Sequence, residues 1–298
     1  MSERPHIAII GGGRVGASLA YAFAENGHTI KLGVTTRDGK LSQPDWGQYS
    51  PQNNLQVCQA RAALAGAKTV LLTVADQQIK PVCEALSSHL EPSSVVAHCS
   101  GILGSDVLAA AADHGMATAS VHPLASFPSV QAGIAWLSTR EHGCYCYSEG
   151  DESALQALEP LFAGLGFKTR RVNPAAKPLY HAASVFACNY LNVLIELSLQ
   201  CGDAADLERN ELFEALRPLI DTTLANIASH GTTAALSGPV MRADLDTLSL
   251  HSQALAKIDP ALEESYRDLG RHAVALAAQS KTLSDQQLKA LLALLKKP

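Results

Sequence analysis

The sequence predicts an α/β protein, with a doubly wound, mainly parallel sheet followed by an all-α domain. Three observations predict it. From residue 6 to about 125, apolar β-like runs alternate with helical stretches, the pattern of βαβ units. A glycine-rich turn joins the first of those runs to an Ala-rich helix. Beyond Asn173-Pro174 the pattern becomes helical and stays so.

Taken in order, the expected strands are residues 6–10, 29–35, 69–74, 94–98 and 117–121. The first four are rich in Val, Ile or Leu, as strands covered on both faces must be, and the fifth is weaker. Helices are expected between them, notably over 15–26 and 77–89. Strands near 143–147 and 167–171, either side of a helix over 153–165, extend the sheet. This assigns residues 1–172 to the first domain and 173–298 to the helical one. Residues 175–200 form a long, nearly unbroken helical stretch. Its apolar part, 182–195, is interrupted by Asn189 and Asn192 and is shorter than the roughly 20 residues that cross a bilayer. It is expected to be the central buried helix of its domain, of a kind that often packs against a partner subunit.

With 298 residues, 47% hydrophobic and 17% charged, the chain can bury the cores of about two domains. Its formal charge of −5 and the lack of any Lys/Arg block exclude the basic footprint that nucleic acid or an anionic membrane requires. A small molecule is the expected partner. The apolar start Ile7-Ala-Ile-Ile10 runs directly into glycines, with neither the length nor the cleavage site of a signal peptide, so a cytoplasmic protein is expected. Seven cysteines without a CxxC pair suit reduced thiols, and Cys144 and Cys146 read as small hydrophobes sharing a strand face.

Gly11-Gly12-Gly13-Arg14-Val15-Gly16 fits G-x-G-x-x-G between a strand and a helix, the context in which the motif has a mechanism. Gly11 makes the tight turn, Gly13 lets a pyrophosphate approach the backbone, and Gly16 lets helix and strand pack closely. Free N–H groups at the helix start then hold the phosphates. An NAD enzyme usually places an acidic residue at the end of the second strand, whereas this chain has Thr35, Thr36 and Arg37. Two hydroxyls and a guanidinium suit a 2′-phosphate, so NADP is expected over NAD, with Asp38 weighing against it.

Several segments together resemble the Rossmann-like proteins that carry a DUF2520 domain. These are the glycine loop, Leu72-Thr-Val-Ala-Asp76, His98-Cys-Ser-Gly101, His122-Pro-Leu124, Tyr180-His-Ala-Ala183 with Asn189-Tyr-Leu191, and Ser237-Gly-Pro239 with Arg242. The wider superfamily includes 6-phosphogluconate and β-hydroxyacid dehydrogenases, pyrroline-5-carboxylate reductase and prephenate dehydrogenase. The resemblance implies an NAD(P)-binding Rossmann domain, a helical dimerisation domain and a homodimeric oxidoreductase acting on a small, carboxylate-bearing substrate between the two. Function on such a fold belongs to the site rather than to the fold.

Ligands of a doubly wound sheet lie beyond the carboxyl ends of its strands. That rule selects Val74, Ala75 and Asp76 as a ribose-side wall, Ser100 and Gly101 beside the nicotinamide, and His122. A histidine with a pKa near 6.5 suits proton delivery at neutral pH, Pro123 holds its backbone extended, and prephenate dehydrogenases place a functional histidine in a similar His-Pro segment. Lys177, His181 and Asn189 form a polar stripe on the long helix. β-Hydroxyacid dehydrogenases carry Lys-x-x-x-Asn there with lysine as acid/base, but here position 181 is histidine, which shifts weight to His181. Asp244 reads as a helix N-cap that Arg242 pairs with, and Arg242 is also a candidate for binding a substrate carboxylate. His98, His122 and His181 lack any regular ligand spacing, so no metal is expected. The rival reading is an NADPH-binding sensor or scaffold without turnover.

Overall fold

The first apolar run becomes β1 (His6–Ile10), buried along its whole length. Strands pair with it on both sides and helices cover both faces, so an unbroken apolar run is the stable choice. The computed structural model describes residues 6–34, 42–141 and 143–296. Along the chain follow α1 (Arg14–Glu25), β2 (Ile30–Gly33), β3 (Leu55–Cys58), α2 (Ala60–Leu64), β4 (Ala67–Leu72), α3 (Asp76–Leu86), β5 (Val95–His98), α4 (Ala109–Ala112), β6 (Ala117–Pro123) and α5 (Val130–Ser138). Then come β7 (Tyr145–Gly150), α6 (Glu152–Gly164), β8 (Lys168–Arg171), α7 (Lys177–Ser184), α8 (Tyr190–Asp203), α9 (Arg209–Ala235), α10 (Leu245–Ile258), α11 (Pro260–Gln279) and α12 (Asp285–Leu294).

The eight strands lie in the order β3-β2-β1-β4-β5-β6-β7-β8. The first six run parallel in the doubly wound arrangement, whose order reverses between β1 and β4 and opens a crevice there. β7 runs antiparallel to β6, and β8 parallel to β7. One face of the sheet is covered by a core that includes Leu19, Phe23, Ile134, Leu158 and Phe162. The other is covered by Leu64, Ile79, Cys83 and Leu108. Strand β3 was not legible in the sequence, because Leu55–Cys58 is a four-residue alternation rather than an apolar run.

The two compact units divide between Cys188 and Asn189, past the change of character at residue 173. Helix α7 is therefore part of the first unit. In the second unit, α10 to α12 close around Val240, Leu248, Val274, Ala277, Leu291 and Leu295. The expectation of a central buried helix is overturned: α8 buries only Gly202, and α9 buries nothing. The helical stretch Pro174–Asp203 runs for 30 residues and contains an 18-residue window of mean hydropathy 1.4, apolar enough by length and composition to cross a membrane, with none of that window buried. Its apolarity answers to something other than the chain's own core.

A π turn over Val185–Asn189 joins α7 to α8. An extra residue in a turn rotates everything after it, so the expected polar stripe does not persist. Lys177 is enclosed, His181 half-buried and Asn189 exposed.

Phe162 packs edge-on against Phe23, ring centroids 5.6 Å apart. Phe162→Ala should cost about 3–5 kcal/mol of stability, read as a lowered urea midpoint at unchanged slope.

Candidate functional site

The glycine loop has the anatomy its spacing promised. A side chain at Gly11 (φ +120°) would press on the Thr73–Val74 backbone at 2.9 Å, and one at Gly16 would overlap the Gly11 carbonyl and the Thr73 hydroxyl. At Gly13 a Cβ would meet nothing within 4 Å. Two glycines thus serve the protein's own packing, and the middle one faces open space. Helix α1 starts there with neither a side-chain cap nor an acidic residue in its first turn, leaving its amides available to an anion. Thr73 Oγ1 ties the loop down by donating to the Gly11 carbonyl at 2.9 Å.

Beside the loop a cavity of about 550 Å³ is lined by Gly11, Gly12, Val34, Arg61, Val74 and Leu86, among others. It suits an adenosine, and Arg61 was not anticipated from the sequence. The expected 2′-phosphate residues Thr35, Thr36 and Arg37 lie outside the described residues. Arg14 is exposed and reaches the Pro128 carbonyl at 3.4 Å, Val15 packs on the core, and Asp76 opens α3 at the surface.

The remaining candidates sit in rows across the sheet. Paired residues on neighbouring strands share a face, so His98, Ser120 and Glu149 form one row and His122, Tyr147 and Arg170 the next. Helix α7 lies on that face. Its Lys177, with no exposed surface, donates from Nζ to the Ser100 carbonyl at 3.1 Å and to Ser120 Oγ at 2.6 Å. Tyr180 stacks on Tyr147, centroids 4.6 Å apart, and its hydroxyl forms a short hydrogen bond with His122 Nδ1. His181 lies 6.0 Å from His122, centroid to centroid. Both rings close over Gly101, where a Cβ would stand 2.9 Å from His122 Nε2 and closer still to His181 Cδ2. Only glycine fits beneath two imidazoles.

Ser100 Oγ accepts from the Ile102 and Leu103 amides at 3.2 and 3.1 Å, shaping the turn. His98 Nδ1 accepts from the Ser100 amide at 3.1 Å, so Nε2 carries the proton given to the Gly104 carbonyl at 2.9 Å. The buried Glu149 carboxylate holds the far end of that loop, accepting from the Ser105 amide at 2.8 Å and its hydroxyl at 2.9 Å. Among the described residues no group of three or more His, Cys, Asp or Glu is placed to hold a metal.

Burial first, then the nearby Lys177 ammonium and the His181 ring, push His122 down to about 4. Burial likewise takes His98 to about 4. The idea of His122 as an imidazolium acid near neutrality is thereby corrected: the ring is neutral. Burial holds the Tyr180 phenol protonated, so Tyr180 donates to His122 Nδ1 and leaves His122 Nε2–H as the free donor. Burial also lowers Lys177, opposed by the charge of Glu149. The Cys99 thiol is pushed up to about 12 by burial and supplies no thiolate.

Residues 1–123 match the model of the Rossmann-like domain, and residues 144–273 match that of DUF2520, a domain of unknown function. The chain carries both domains in that order. The DUF2520 part opens in the last two strands, so Tyr147, Arg170 and α7 belong to it while His122 closes the Rossmann-like part. No curated protein matches the chain. Among solved structures, a candidate NADP oxidoreductase from Bacteroides fragilis is similar at a TM-score of 0.70 and 19% identity, over 91% of this chain and 98% of its own. Protein TM1727 from Thermotoga maritima gives 0.64 and 20% over 92% and 99%. The reductive aminase from Aspergillus terreus, solved with NADPH4, cyclohexanone and allyl amine, gives 0.62 and 14% over 98% and 99%. At these identities the likeness establishes the fold.

Tyr180, Ser120 and Glu149 had no assigned role in the sequence reading. Only the spacing of Tyr180, three residues after Lys177 on one helix, could have flagged any of them.

Two histidines held near 4, against 6.5 in the unfolded chain, bind fewer protons folded than unfolded between those values. Stability should therefore be complete above pH 6.5 and fall towards pH 4, by up to about 1.4 kcal/mol per pH unit for each histidine. Urea titrations from pH 7.5 to 4.5 test this, and His98→Gln should flatten the slope.

Proposed function

We propose that the chain is an NADP-dependent oxidoreductase that moves a hydride to or from a small, carboxylate-bearing substrate. The carrying observation is the Gly13 opening at the start of α1, beside a polar cluster at the carboxyl ends of β5 and β6. The solved relatives support it, since the Aspergillus terreus reductive aminase holds NADPH4.

The cofactor, when bound, supplies or takes the hydride. The α1 amides would hold its phosphates, the cavity at Val34 and Arg61 its adenosine, and Thr35, Thr36 and Arg37, outside the described residues, its 2′-phosphate. His122 Nε2–H donates to the substrate oxygen or nitrogen on which charge builds. Tyr180 fixes that ring through Nδ1, and Gly101 gives it room. Lys177, enclosed by Ser100 and Ser120, acts as a positioning residue. Arg242, the expected carboxylate partner, is half of a surface pair with Asp244 at 3.8 Å.

Titration with NADPH, followed by its fluorescence, should show saturable binding; none at high protein concentration overturns the reading. In a carbonyl and imine panel, His122→Ala should lower turnover by about 10²–10⁴ at unchanged NADPH affinity. The enclosure of the Lys177 ammonium favours a rival, a cofactor-holding sensor, which predicts NADPH binding with no turnover of any substrate.

We further propose a cytoplasmic homodimer, in keeping with seven free cysteines. Its interface is the α8–α9 face, where Leu191, Leu194, Leu216, Leu219, Leu224 and Ile227 line an open apolar groove of about 360 Å³. A face of that kind marks an interaction site. Sedimentation should give a dimer, and Leu219→Asp should shift it to monomer.

A further inference from the structure

The two outer strands carry a second set of groups on the His122 face. Two residues along from the His122–Tyr147–Arg170 row, Tyr145 pairs with Lys168. Alternation places Tyr145, Tyr147, Lys168 and Arg170 all on one side. The ring contacts agree: Tyr145 and Tyr147 lie 6.1 Å apart, and the latter continues through Tyr180 to His122. Lys168 Nζ and Arg170 Cζ stand 5.7 and 5.6 Å from the Tyr145 centroid, within reach of the ring's negative face.

The charges on the two faces of β8 are handled differently. Arg171, on the α6 side, is matched by Glu152 at 2.5 Å and Glu159 at 3.2 Å. Lys168 and Arg170, both exposed, have no carboxylate partner among the described residues; Arg170 donates only to the Thr169 carbonyl, at 3.3 Å. Two cations are thus held together on the Tyr145 ring, their remaining donors without a partner among the described residues, two strands away from the candidate donor His122.

We propose that this strip is the substrate's specificity site, taking the oxyanion of a carboxylate or phosphate on Arg170 and Lys168, with the substrate's flat body along Tyr145 and Tyr147. Neighbouring strands lie about 4.8 Å apart, so the Arg170 backbone sits roughly 10 Å from that of His122. That spacing selects an extended, planar or aryl-bearing acid over a compact hydroxy acid. Arginine's fork suits either oxyanion, and the tyrosines bind a flat body at small entropic cost. The inference rests on the oxidoreductase reading, and it moves substrate recognition from Arg242 to β8.

The test uses full-length, NADPH-loaded protein, with 3-phenylpropionate and its uncharged amide, 3-phenylpropanamide, as probes in ligand-observed NMR. The acid should bind more tightly than the amide. Arg170→Gln with Lys168→Gln should weaken the acid about tenfold or more, the scale of one charge-assisted hydrogen bond, and leave the amide and NADPH unchanged. Inorganic phosphate should compete with the acid in the parent protein and not in the double variant. Equal affinity for acid and amide, no binding of the acid, or a loss confined to Arg242→Gln overturns the proposal while NADPH still binds. Failure of the parent protein to bind NADPH overturns the oxidoreductase reading instead.

Discussion

The ammonium of Lys177, taken wholly out of water, is the contact on which the candidate site depends. Burying a lone cation is costly, and the cost is offset only by good donors, acceptors and a compensating charge. All three are present. The Ser100 carbonyl lies 3.1 Å away and Ser120 Oγ 2.6 Å away, and the Glu149 carboxylate acts from the neighbouring strand. Because one acceptor lies in the turn after β5 and the other in the middle of β6, one side chain fixes α7 against both. Tyr180 and His181, one turn further along α7, are thereby set over His122 and Gly101.

The same charge shapes the chemistry. A fixed cation beside two buried imidazoles penalises their protonation and adds to the desolvation that already does so. The result is a pair of neutral histidines with assigned tautomers, each held by a hydrogen bond at Nδ1. Such a group polarises a carbonyl or imine as a hydrogen-bond donor rather than as an imidazolium. On the proposed reading, the enclosed lysine would act by position and charge where the Lys-x-x-x-Asn pattern uses proton transfer.

Outside that cluster, the molecule shows where its surface is incomplete. The α8–α9 face leaves leucines open to solvent, and on the side that bears His122 the β7–β8 edge leaves two cations without a carboxylate partner among the described residues. On β8 the opposite face is satisfied, where Arg171 finds two glutamates, and in the helical unit α10 to α12 close a core of their own. The contrast is what gives the open faces meaning.

The parallel sheet, the glycine loop and the strand-end position of His122 were legible in the residues. Each rests on local rules: apolar runs for two-sided burial, glycine where a Cβ would clash, ligands beyond strand ends. Four-residue β3 was not, nor was the antiparallel direction of β7, because pairing partners rather than composition decide both. Nor could sequence tell that none of residues 182–195 is buried, since an apolar helix looks the same whether its own chain or another surface covers it. Periodicity put Lys177 and His181 on one helix face. Only tertiary packing decided that Lys177 is enclosed, that a π turn breaks the stripe before Asn189, and that Tyr180 and Glu149 join the cluster. Protonation followed from the same packing: a histidine's ordinary pKa belongs to water, and the surroundings that move it to about 4 come from β5, β6 and α7 together.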